Sequence, residues 1–159
     1  AGRDTSILKE RGLSPIGIDL SEGLLVEARK RHPDIEFVQG NFLHLPFEDA
    51  TFLGVWDHAS LLHFETIGEV SKALVEFYRV LKPGGLLHLF VKELQGTEKF
   101  SIVSDTLSGH DRFFQWFTVD EVRNILQESG FKIKTIFGGY ADPAGRQDVS
   151  WVGARAIKS

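Results

Sequence analysis

Short apolar segments alternate with amphipathic segments along most of the chain. Apolar runs bounded by Gly, Pro, Asn or Asp predict strands at residues 15–18, 35–38, 52–56, 86–91, 132–137 and 150–157. Apolar residues at helical spacing predict helices at about residues 4–11, 21–31, 66–81 and 118–129. Residues 93–112 are polar, and their pattern predicts an irregular connection.

The order of these elements, α-β-α-β-β-α-β-α-β-β, predicts the topology. Strands separated by helices pair in parallel through right-handed crossovers. The last two strands are joined without a helix and predict an antiparallel hairpin at the edge of the sheet. We therefore predict one α/β domain over residues 1–159, a Rossmann-like, doubly wound and mostly parallel sheet.

Composition excludes several classes of protein. The 159 residues suffice for one core, and the lack of cysteine excludes a disulfide framework, a thiol nucleophile and a Cys-ligated metal. A net charge of −4 does not favour nucleic-acid binding. No apolar run reaches the ~18 residues of a membrane span, so no membrane partner is predicted and the cytoplasm is the expected compartment.

Polar residues follow three of the predicted strands, where ligands bind in such sheets. Asp19 ends the first strand and could accept both hydroxyls of a ribose, or could simply favour the N-terminus of the next helix. Asn41 could pair with an adenine edge or act as a turn residue. Asp57 and His58 end the third strand.

Four segments resemble motifs of the class I S-adenosylmethionine-dependent methyltransferases of the small-molecule type, similar to methyltransferase types 11 and 25. They are IGIDLS at 16–21, FVQGNF at 37–42, FLGVWD at 52–57 and RVLKPGG at 79–85. They occur in the family's order and cover most of the chain. Asn41 stands where the family more often has Asp, and Leu53 where it usually has Asp.

The resemblance implies S-adenosyl-L-methionine as the cofactor. Asp19 would hold the ribose, Asn41 and Phe42 the adenine, and Gly2 with Asp57 the methionine end. The full set of implied cofactor-binding residues is Gly2, Arg3, Asp19, Leu20, Asn41, Phe42, Asp57 and His58.

The family's first motif is a strand followed by a glycine-rich loop, and only Ala1-Gly2 matches its end. The first strand is therefore missing, and its absence from mid-sheet would leave buried backbone groups unpaired. We expect the sequence to be an N-terminally truncated part of a longer protein. The alternatives are a strand supplied by another chain and a sheet that closes differently.

Histidines and aromatic residues are the candidates for the reaction and for the acceptor. His58, His63 or His110 could be a general base, and the alternative is that these side chains orient loops. Arg112, Phe114 and Trp116 are the predicted substrate-binding residues, although aromatics here could equally form a hydrophobic plug. No metal site is predicted, since Asp57, His58 and His63 lack suitable spacing.

The sequence supports two principal hypotheses of function. The first is methyl transfer from S-adenosylmethionine to a small-molecule acceptor. The second is a catalytically inactive methyltransferase-like module that binds or scaffolds a partner, which Leu53 and the missing first motif favour. A nicotinamide dehydrogenase would share the ribose-binding acid, but the final hairpin and the Lys-Pro-Gly-Gly segment disfavour it.

Overall fold

The computed structural model describes residues 2–105, 110–142, 145–146 and 148–159. Contacts divide the chain into two compact units, Ala1–Pro46 and Phe47–Ser159, which are treated in turn. No helix in the described ranges is long and apolar enough to cross a membrane.

The first unit contains two helices and a parallel pair of strands. In chain order these are α1 (Arg3–Glu10), β1 (Ile16–Asp19), α2 (Glu22–Arg31) and β2 (Glu36–Gln39). β1 pairs with β2 in parallel, as predicted. The Ser21 hydroxyl caps α2 by accepting a hydrogen bond from the Leu24 amide at 3.4 Å. Leu25, Ala28, Ile35 and Phe37 form the buried core of this unit.

The second unit is built on a four-stranded sheet with the order β3-β4-β8-β7. Its strands are β3 (Phe52–His58), β4 (Leu81–Lys92), β7 (Phe131–Ala141) and β8 (Ser150–Lys158). β3 and β4 are parallel, whereas β8 is antiparallel to both β4 and β7. The predicted C-terminal hairpin is confirmed, and its second strand lies inside the sheet while β7 forms the edge.

Two helices of this unit begin with reciprocal capping boxes. α3 (Ile67–Val80) starts after Thr66, and α4 (Val119–Glu128) starts after Thr118. In each, the threonine hydroxyl accepts from the amide three residues on, where a glutamate carboxylate reaches back to the threonine amide. The apolar faces of these helices are buried, which accounts for the helical spacing read from the sequence.

The connection between β4 and α4 is more ordered than its polarity predicts. β5 (Phe100–Asp105) and β6 (His110–Gln115) form an antiparallel pair, so the irregular connection expected for residues 93–112 is wrong. The apolar residues of β5 are exposed, including Ile102 at 62%. An exposed strand lacks the burial pattern by which sequence analysis recognises strands.

The Lys-Pro-Gly-Gly segment is a structural turn in the first part of β4. Gly84 has φ of +76°, a conformation that side chains with a Cβ rarely adopt. A Cβ on Gly85 would lie 2.8 Å from the Lys82 carbonyl oxygen and 3.3 Å from that of Leu53. The turn therefore lets β4 approach β3 closely before regular pairing begins at Gly54 and Leu86.

We predict that Gly85→Ala lowers the free energy of unfolding by about 1–3 kcal/mol, because the added methyl group must displace backbone oxygens. Gly96→Ala is the matched control, since nothing lies within 4 Å of a Cβ at that position. Urea unfolding of both variants measures the difference. Equal stability of the two variants would contradict this account of the turn.

Candidate functional site

The carboxylate of Asp19 lies at the carboxyl end of β1, half-exposed and beside Gln39 of β2. Its Oδ1 accepts a hydrogen bond from the Ser21 amide at 2.8 Å. Gln39 Nε2 donates to the Leu20 carbonyl at 3.0 Å and holds the same turn. The turn uses one oxygen of the Asp19 carboxylate, so its geometry accommodates a ligand hydroxyl on the other.

The predicted adenine-binding residues follow β2. Asn41 is exposed, and its Oδ1 accepts from the Leu43 amide at 2.9 Å in a local turn. This contact supports the turn alternative for the side-chain oxygen, and it does not use the donors on Nδ2. Phe42 is half-buried, whereas Leu20 is 67% exposed.

The backbone at Gly2 requires glycine on two grounds. Its φ is +79°, and a Cβ there would lie 2.8 Å from Cδ2 of His32. Gly2 is the N-cap of α1, where Arg3 pairs with Asp4 at 2.8 Å on the surface. A glycine at the start of this helix fits the end of a loop that approaches a ligand closely.

Asp57 is the most unusual polar residue of the second unit. It is the penultimate residue of β3 and is 2% exposed, and the Ser60 hydroxyl donates a hydrogen bond to its Oδ1. In the described part of the chain, its buried Oδ2 has no hydrogen-bond partner. Burial raises the pKa of Asp57 to about 6, against the opposing effects of the Ser60 hydrogen bond and of His58.

The turn after Asp57 is strained. Ala59 has φ of +65°, and its amide donates to the Phe90 carbonyl at 2.9 Å. A residue with a Cβ in this region costs on the order of 1–2 kcal/mol. Strain beside an unpaired buried carboxylate is typical of a functional site rather than of a packing core.

The three predicted catalytic histidines have different surroundings. His63 Nδ1 lies 2.9 Å from the Phe113 carbonyl oxygen, a contact that supports the loop-orienting alternative for this side chain. His58 is half-buried, with its ring centroid 5.7 Å from that of Trp151. The side chain of His110 lies outside the described residues.

Of the predicted substrate residues, Arg112 and Phe114 alternate along β6 and therefore share one face, and Trp116 follows directly after the strand ends at Gln115. The sequence analysis did not identify Lys92, whose ammonium group contacts the rings of Phe114 and Trp116. The Lys92 ammonium lies 4.2 Å from the centre of the Phe114 ring and 5.2 Å from that of Trp116. The only signal for Lys92 in the sequence is that it follows the apolar strand predicted at residues 86–91.

No group of three or more metal-binding side chains is found among the residues that the structure describes.

Comparison with known proteins decides the family. Residues 1–89 match the family model described as a methyltransferase domain, which is more than half of the chain. The chain belongs to this family. The resemblance to class I S-adenosylmethionine-dependent methyltransferases seen in the sequence is confirmed.

Two relatives illustrate the similarity in sequence. A demethylmenaquinone methyltransferase of Chlorobaculum tepidum is 38% identical over 84 residues, which are 53% of this chain and 34% of the relative. An uncharacterized protein of Haemophilus influenzae is 32% identical over 139 residues, 84% of this chain and 55% of that protein. The chain thus spans between about a third and just over half of the length of these relatives.

Solved structures confirm the fold class. An S-adenosylmethionine-dependent methyltransferase from Methanosarcina mazei superposes with a TM-score of 0.86 at 22% identity, over 99% of this chain and 87% of that one. The 1,6-didemethyltoxoflavin-N1-methyltransferase of Burkholderia thailandensis, solved with S-adenosylhomocysteine, gives 0.76 at 22% identity over 99% and 67% of the two chains. The methyltransferase domain therefore has the Rossmann-like α/β fold predicted from its sequence.

We predict that Asp57→Asn stabilises the ligand-free protein above pH 6. The folded state holds the Asp57 proton more tightly than the unfolded state, whose pKa is near 3.8. The free energy of unfolding of the parent protein therefore falls as the pH rises from about 4 to above 6. The free energy of unfolding of Asp57→Asn should exceed that of the parent protein by near zero at pH 4 and by on the order of 2–3 kcal/mol at pH 7.5.

Urea unfolding across this pH range measures the effect. Asp120→Asn is the control, because the Asp120 side chain is 91% exposed and should show no such pH-dependent advantage. If the difference in free energy of unfolding between Asp57→Asn and the parent protein does not change with pH, the assignment of Asp57 as a desolvated carboxylate is contradicted.

Proposed function

We propose that this protein transfers a methyl group from S-adenosyl-L-methionine to a small-molecule acceptor. The observation that carries the proposal is the Asp19 carboxylate, which closes β1 and uses one oxygen to hold the turn to α2. In dinucleotide-binding folds an acid at the end of such a strand binds ribose hydroxyls. Membership of the methyltransferase family supports the same role for this acid here.

The residues around Asp19 fit the adenosine part of the cofactor. Asn41 presents amide donors at the end of the neighbouring strand, where an adenine edge requires them. Phe42 and Leu20 add apolar surface beside these polar groups. Gly2, at the N-cap of α1, is the residue proposed to lie beside the methionine part of the cofactor.

S-adenosylmethionine supplies an electrophilic methyl group on a sulfonium centre. Protein residues must hold the acceptor lone pair in line with that methyl group and exclude water. A general base is needed only where the attacking atom must lose a proton. His58 and His63 remain candidates, and the pKa of Asp57 near 6 makes this carboxylate a third group able to take a proton near neutral pH.

The Oδ2 atom of Asp57, which has no hydrogen-bond partner in the described part of the chain, is also proposed to contact the cofactor. A ligand donor placed against it would satisfy a buried acceptor that has no hydrogen-bond partner among the described residues. An ammonium group would also favour the charged carboxylate. The methionine end of the cofactor carries such a group, and Asp57 is proposed as its acceptor.

Similar proteins support a small-molecule acceptor. The relative from Chlorobaculum tepidum is a demethylmenaquinone methyltransferase, and the structural neighbour from Burkholderia thailandensis methylates 1,6-didemethyltoxoflavin. Both names describe small organic acceptors. The comparisons give no support to the non-catalytic alternative.

We expect Asp19→Asn to weaken the binding of S-adenosylhomocysteine by about tenfold or more, because charge-assisted hydrogen bonds to the ribose are lost. Asparagine keeps the Oδ1 that accepts from the Ser21 amide, so the turn should survive. Isothermal titration calorimetry measures the dissociation constant.

Asp34→Asn in the same unit serves as the control, since its exposed carboxylate pairs with Lys9 at 2.5 Å. The affinity of this variant should stay within about twofold of the parent protein. Unchanged affinity in Asp19→Asn would rule out the ribose-binding role. Absence of any S-adenosylhomocysteine binding by the parent protein would count against the proposed function itself.

A further inference from the structure

Lys92 lies where the second unit would present a ligand site. It is the last residue of β4, and Asp57 at the end of β3 pairs with Leu89 of the same strand. The carboxyl ends of these parallel strands therefore meet at one edge, which is where ligands bind in open α/β sheets. Lys92 is half-buried there rather than extended into solvent.

Two aromatic rings hold the Lys92 ammonium in place. Its Nζ lies 4.2 Å from the Phe114 ring centre and 5.2 Å from that of Trp116. The Phe117 amide donates to the Lys92 carbonyl at 2.9 Å, which joins this aromatic segment directly to the end of β4. Trp116 Nε1 donates to Ser101 Oγ at 3.3 Å and fixes the indole. The charge is therefore positioned and not freely mobile.

Two carboxylates near Lys92, those of Asp142 and Glu93, form hydrogen bonds with other partners. Asp142 accepts from Arg146 at 2.8 and 2.9 Å and from Trp151 Nε1 at 3.0 Å. Glu93 accepts from the Gly139 amide at 2.7 Å and from Ser150 Oγ at 2.5 Å. Within the described ranges, no carboxylate forms an ion pair with Lys92.

Two further polar side chains lie near Phe114. The His63 ring lies 4.7 Å from the Phe114 ring, centre to centre, and Arg112 occupies the same face of β6 two residues away. Burial lowers the pKa of Lys92, with Arg146 acting in the same direction and the carboxylates of Asp142 and Asp148 opposing it. A desolvated ammonium in such surroundings gains most from an anionic partner supplied from outside the chain.

We propose that Lys92 binds an anionic oxygen of the methyl acceptor, in the form of a carboxylate, phenolate or enolate. This inference rests on the proposed function and narrows its substrate class to acidic small molecules with an apolar body. The Lys92 ammonium group has three N–H donors and contacts two ring faces, so an N–H remains that can donate a hydrogen bond to the ligand. Phe114 and Trp116 provide apolar surface beside the bound oxygen.

The binding of 1-naphthoate and of 1-naphthamide tests this proposal, because the two probes share a shape and differ in charge. Calorimetry on the parent chain at pH 7.5 should show about tenfold or greater preference for 1-naphthoate. Lys92→Met keeps the apolar stem and should abolish the preference. Lys92→Arg keeps the charge and should retain most of the preference for 1-naphthoate. Lys72→Met, an exposed lysine on α3, should leave it unchanged.

S-adenosylhomocysteine binding is measured in parallel for every variant and should stay within about twofold of the parent protein. This readout separates a failure of the proposed function, seen as loss of cofactor-product binding by the parent, from a failure of the anion-binding role. The proposal is overturned if the parent chain binds 1-naphthoate no better than 1-naphthamide. Retention of the preference by Lys92→Met would overturn it as well.

Discussion

Parallel strand pairing is the constraint that places Asp19, Asp57 and Lys92, the groups on which the proposed ligand binding depends. Two parallel strands must end at the same edge of a sheet, so residues that follow each strand become neighbours however far apart they lie in sequence. In the first unit this places Asp19 beside Gln39 at the ends of β1 and β2. In the second it places Asp57 and Lys92 at one edge, through the register of β3 with β4.

The edge formed by β3 and β4 combines several features that oppose stability. Asp57 has an unpaired buried oxygen, Ala59 adopts a left-handed conformation, and Lys92 is partly desolvated against aromatic rings. Each costs free energy that the core of this unit must offset. Under the proposed function, a bound ligand would supply a donor to the first and an anion to the third, and its binding would offset part of this cost.

Local chemistry could be predicted from the sequence, and long-range contacts could not. The capping box of Thr118 with Glu121, the acid that ends β1 and the Gly84-Gly85 turn each depend on a few adjacent residues. The β5–β6 pair was missed because the surrounding segment is polar and the apolar residues of β5 are exposed rather than buried in a core. The contacts of Lys92 with Phe114 and of His63 with Phe113 join residues far apart in the chain, and no local pattern encodes them.

The ends of β1 and β2 are the proposed binding site for the adenosine part of S-adenosylmethionine. Amide chemical shifts of the 15N-labelled chain, titrated with S-adenosylhomocysteine, measure whether this part of the chain contacts the ligand. We expect saturable shifts at residues 20–22, beside Asp19, and at residues 41–43, beside Asn41. Saturable shifts that leave both segments unchanged, and lie instead along the groove lined by Arg123, Phe131 and Thr135, would contradict it.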